Sequence, residues 1–118
     1  MSDMQIIDVR AKIELFPSHV SGKTRGYLSG IRPNHFFEQE SSSIPGVIEF
    51  IGQGSLELGR SCTAFVRFLR PVDWRPIEAG QEWRINEGSK QVGQGVVLEV
   101  LRTLSDQPPF PPLSSASG

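Results

Sequence analysis

The sequence predicts an all-β fold, a closed six-stranded antiparallel β-barrel followed by a disordered tail rich in Pro and Ser. Three observations carry this. Apolar and charged residues alternate strictly near the N-terminus. Short runs rich in β-branched and aromatic residues recur between Gly, Pro or Ser. The 12 glycines and 9 prolines among 118 residues leave no stretch in which apolar side chains recur at helical spacing over three turns.

The first strand is the clearest. Between Asp8 and Phe16, Val9, Ala11, Ile13 and Leu15 alternate with Arg10, Lys12 and Glu14, the period-two signature of a strand with one buried face. Five further strands are expected at Asn34–Glu38, Gly46–Ile51, Ser61–Leu69, Gln81–Ile85 and Val92–Leu101, and no helix. An open sheet of six short strands would leave two unpaired edges, and closure into a barrel removes them. From Ser105 to Gly118 a Pro-Pro-Phe-Pro-Pro cluster sits among small polar residues, which cannot bury enough to offset the entropy of ordering. That segment is read as a disordered extension, although its prolines suit a polyproline II ligand. The organisation is one domain over 1–104 and a tail over 105–118.

Composition narrows function. Twelve basic against thirteen acidic residues give a net charge of −1, so a globally basic nucleic-acid binder is excluded and any basic patch must be local. No apolar run approaches the ~18 residues of a membrane helix, and Cys62 is the only cysteine, so neither a membrane partner nor a disulfide is expected and the cytoplasm is the expected compartment. Cys62 opens the run Thr63-Ala64-Phe65-Val66 and reads as a small core hydrophobe.

No motif carries catalysis. Ser21-Gly22-Lys23-Thr24 imitates the end of a phosphate loop, but Pro17 stands where such a loop needs its first glycine, and no helix is expected to follow. Nucleotide is therefore not an expected ligand. His19, His35 and Cys62 do not form a zinc spacing, and no Gly-x-Ser-x-Gly elbow is present. Glu38, Glu40, Glu49, Glu57, Glu78, Glu82 and Glu87 are scattered and read as a solvated surface. Trp74 and Trp83 read as packing residues before stacking platforms for RNA bases. The expectation is a protein without enzymatic activity or cofactor.

The segment Ile85-Asn86-Glu87-Gly88-Ser89-Lys90-Gln91-Val92-Gly93-Gln94-Gly95-Val96-Val97 resembles the last loop and strand of elongation factor Tu. Ser21-Gly22-Lys23-Thr24 and Gly30-Ile31-Arg32-Pro33-Asn34-His35-Phe36-Phe37 are similar to two earlier motifs of that family, in the same order and spacing. With Gly46-Val47-Ile48-Glu49 and Leu69-Arg70-Pro71, the resemblance runs from about Val9 to Leu101. It implies the family's third domain, a six-stranded antiparallel barrel, standing without the GTPase domain and hence without GTP hydrolysis. Gly93 and Gly95 suit such a barrel, where a missing side chain lets a neighbouring strand approach or admits a bulge.

The resemblance also implies a partner, either tRNA or a protein of the translation apparatus. It places the tRNA-facing positions at Lys23, Thr24, Asn34, Pro45, Arg70, Glu87 and Gly88, with Lys90 beside them. The family has histidine at Thr24, glutamine at Asn34 and threonine at Pro45. Convergence of Lys23, Arg70 and Lys90 on one face would favour RNA, and apolar residues there would favour a protein partner.

Overall fold

The computed structural model describes residues 3–37 and 42–104. In chain order the elements are β1 (Met4–Leu15), α1 (Ser18–Ser21), β2 (Tyr27–Leu28), β3 (Asn34–Phe37), β4 (Ile44–Phe50), β5 (Ser55–Leu56), β6 (Ser61–Pro71), β7 (Glu82–Glu87) and β8 (Lys90–Leu104). Six of the strands close a barrel in the order β1-β6-β4-β3-β7-β8, every pair antiparallel, while β2 and β5 form a separate two-stranded ribbon. This is the predicted fold. The expected tail, Ser105–Gly118, lies outside the described residues, as do Glu38, at the end of the second expected strand, and Glu40.

The alternation read in β1 is the wall of the barrel. Ile7, Val9, Ala11, Ile13 and Leu15 all point inward and are buried. Ala64, Val66 and Phe68 of β6 meet them in register, Val9 opposite Val66 and Ala11 opposite Ala64. At one end an aromatic cluster fills the core. Phe37, Phe68 and Trp83 pack with ring centroids 5.1 to 5.8 Å apart, and His35 stands edge-on to Phe68 at 5.1 Å. Trp83 settles the packing question for itself: it is 2% exposed, and its indole Nε1 donates to His35 Nδ1 at 3.0 Å. Trp74 packs part-buried against the core.

The glycines of β8 do what a tight barrel requires. Gly95 lies opposite Trp83, where a Cβ would stand 2.5 Å from Cζ2 of the ring, and a Cβ at Gly93 would run into the Glu14 carbonyl oxygen of β1. The β7–β8 pairing also carries a bulge between Ile85 and Asn86.

The unexpected helix and the altered ends of β1, β6 and β8 each have a local reason, while β4 (Ile44–Phe50) and β7 (Glu82–Glu87) differ from the expected segments by one or two residues at each end. A one-turn helix, α1, follows Pro17, whose φ of −61° suits a helix start, and Gly22 at φ 77° ends it by donating its N–H to the Ser18 carbonyl at 2.7 Å. One turn is too short to show a helical period. Strand β8 starts at Lys90 and runs on to Leu104, because bulges against β1 break the alternation near its end. Strands β1 and β6 extend to Met4 and Pro71, where they pair with each other.

Candidate functional site

One end of the barrel gathers most of the residues singled out in the sequence. The left-handed Gly22 turns the chain out of α1, and the segment that follows crosses towards the β7–β8 hairpin. Ser21 fixes its start: Oγ donates to the Pro17 carbonyl at 3.3 Å and accepts the Lys23 N–H at 3.2 Å. Across the gap, Glu87 pairs with Lys90 around a two-residue turn whose first position is Gly88 at φ 59°. A positive φ at that position is the mark of a primed hairpin turn, which favours glycine.

The two segments are clasped by charge. Lys23 Nζ stands 2.7 Å from Glu87 Oε2 and 5.0 Å over the Tyr27 ring. Burial raises the Glu87 carboxyl, but the Lys23 ammonium bonded to it and the neighbouring Tyr27 phenol outweigh that, so the group lies below its usual range. Tyr27 is 3% exposed, and burial, followed by the neighbouring Glu87 carboxylate, pushes its phenol well above its ordinary value. The Lys90 ammonium sits over Gly22, where a Cβ would come within 2.5 Å of it. Lys23, Thr24, Arg25, Glu87 and Lys90 thus line one open groove.

Charge in that groove is uneven. Lys23 is neutralised by Glu87, whereas Arg25 and Lys90 are exposed and have no ion-pair partner among the described residues. The net charge of these four groups is two positive. Arg25 was not singled out in the sequence. Its position two residues after Lys23, in a loop that no strand pattern claims, is the signal that could have found it. Glu87 is no mere solvated carboxylate, since it holds the loop. Asn34 begins β3 exposed, paired with Asn86 on one side and with exposed Pro45 on the other, so it adjoins the hairpin that ends in Glu87 and Gly88.

Arg70 departs from the expectation. It is 1% exposed, lies 5.1 Å from the Phe37 ring and 5.2 Å from the Trp74 ring, and donates Nη2 to the Arg75 carbonyl at 2.7 Å. It is also at the wrong end. Arg70 pairs with Gln5, whereas the groove adjoins Leu15, and from Gln5 to Leu15 the strand covers roughly 30 Å. A guanidinium buried there packs the core and cannot meet a phosphate held by Lys23. The β6 alternation contained the warning, because Ala64, Val66, Phe68 and Arg70 share one face.

The residues that imitate a phosphate loop do not open a helix among the described residues. Gly22-Lys23-Thr24 follows the C-terminal end of α1, where carbonyls point outward, and not the N-terminal end that binds anions. His35 is fully buried, and Cys62 is part-buried with its thiol raised by burial, packed against the core as a small hydrophobe. Among the described residues no three His, Cys, Asp or Glu side chains come together as a metal site. No helix among them is long and apolar enough to cross a membrane. No protein-family model matches the chain.

Proposed function

We propose that this chain is a non-catalytic binding module related to the third domain of elongation factor Tu, acting in the cytoplasm and engaging the phosphate backbone of tRNA. The observation that carries the reading is the groove between the Gly22–Arg25 loop and the β7–β8 hairpin, where Thr24, Arg25 and Lys90 are exposed around the Lys23–Glu87 clasp. Arg25 and Lys90 supply charge for two phosphates. Gly88 has no side chain to hold a ribose-phosphate strand away, and Thr24 and Asn34 offer neutral donors. The resemblance to the elongation factor motifs supports the choice of tRNA over other polyanions. With two free cations, affinity is weak, roughly 10⁻⁴–10⁻⁶ M at physiological salt.

The test is a titration of aminoacylated and deacylated tRNA at two salt concentrations, with wild type and an Arg25→Ala, Lys90→Ala variant. The variant is expected to bind all tRNAs uniformly less, with a salt slope smaller by about two. Wild type that binds neither tRNA at ~10⁻⁴ M would leave a translation-factor protein as the partner. A variant that binds as well as wild type would move the interface elsewhere.

A further inference from the structure

The last strand outruns its neighbour. The final backbone bonds on the β7 side of β8 are Val97 N–H to the Gln81 carbonyl, 2.8 Å, and Gly80 N–H to the Val97 carbonyl, 2.7 Å. From Leu98 to Leu104, β1 is the only strand beside β8 among the described residues. Among the described residues, the outer row of backbone donors and acceptors is a bare sheet edge.

This edge lacks the usual defences. It contains neither lysine nor proline, and Leu98, Val100 and Leu101 are 40%, 36% and 44% exposed. Leu98 and Leu101 are the two residues that the bulges against β1 leave without a partner, since Ala11 pairs with Val97 and Arg10 with Glu99, then Val9 with Val100 and Asp8 with Arg102. Bulges re-aim side chains, and here both re-aimed side chains are leucines. The edge's two charges are tied back to β1, Glu99 to Arg10 at 3.4 Å and Arg102 to Asp8 at 2.8 Å, so nothing on it repels an incoming strand.

We propose that β8 pairs edge to edge with the β8 of a second copy of this chain, antiparallel about a twofold axis. The order of charges selects that occupant. With the axis between Val100 and Leu101, Glu99 of each copy faces Arg102 of the other and Val100 faces Leu101. A parallel copy in register would set like charges together. An isologous twofold is the symmetry that reverses the strand. One short strand pair buries little, so the dimer is weak and concentration-dependent. It leaves the Lys90 end of β8 free, and the inference stands independently of the RNA reading.

The experiment is sedimentation of the full chain across concentrations up to about 100 μM, with hydrogen exchange read over Leu98–Leu104. Wild type is expected to approach twice the monomer mass, with protection of those amides growing with concentration. Leu98→Lys, Leu101→Lys is expected to remain monomeric with an unchanged melt, since both side chains are exposed. Glu99→Arg and Arg102→Glu chains are each expected to be monomeric alone and to associate when mixed. A wild type that stays monomeric throughout overturns the proposal, as does a dimer that survives the lysines. Protection independent of concentration also overturns it, because it would mean that the edge is covered within one chain.

Discussion

At Gly95 one indole ring takes the space where a side chain would stand. Gly95→Ala forces Trp83 out of its contacts with Phe37, Phe68 and His35 or bends β8, and overpacking of this kind costs roughly 1–3 kcal/mol. Chemical denaturation measures it, and an unchanged midpoint would show that the ring has room. His35 makes a second residue-scale prediction. Burial, opposed only in part by the adjacent Gly46 backbone, lowers its pKa from 6.5 to about 4. The unfolded chain takes up a proton near 6.5 and the folded chain resists until about 4, so this contribution is whole above pH 6.5. It declines as pH falls between those values, by at most about 3 kcal/mol. Close to one proton should be taken up on unfolding at about pH 5, and stability that is flat over that range would show that His35 is not held neutral. The site was only partly legible at this scale. Lys23, Thr24, Glu87, Gly88 and Lys90 were named and do meet, but Arg70 was placed by motif position although its strand parity pointed inward, and Arg25 fell outside every motif.

Among elements, β1 was readable because every inward position is apolar and its neighbours reach it from both sides. The end of β8 was not, since Leu98 and Leu101 interrupt the period where the bulges occur. The β2–β5 ribbon was missed because two residues per strand carry no pattern. The clasp between the α1–β2 loop and the β7–β8 hairpin could not be read either, as it joins residues that are distant in sequence. It nonetheless makes a prediction. In Glu87→Gln the Lys23 charge is released, at a stability cost of about 1 kcal/mol because the pair is partly solvated. On the proposed reading tRNA affinity should then rise and its salt slope steepen by about one. A variant whose slope is unchanged would show that Lys23 never faces phosphate.

The six barrel strands form one wall wrapped around one core, so they should be lost together. Circular dichroism and tryptophan fluorescence are expected to report a single coincident unfolding transition, and two separated transitions would mean that part of the wall stands alone. The closure described above has a further consequence, which concerns time. β1, the first strand, needs β8, the last, to complete its second side, with Leu15 paired to Gly93 and Ile6 to Leu104. During synthesis the barrel therefore stays an unfinished wall with two open edges until the residues around Leu104 have been made. Refolding should fall in the slow range of non-local β topologies, milliseconds to seconds, and the interval before closure is when this chain is most exposed to aggregation.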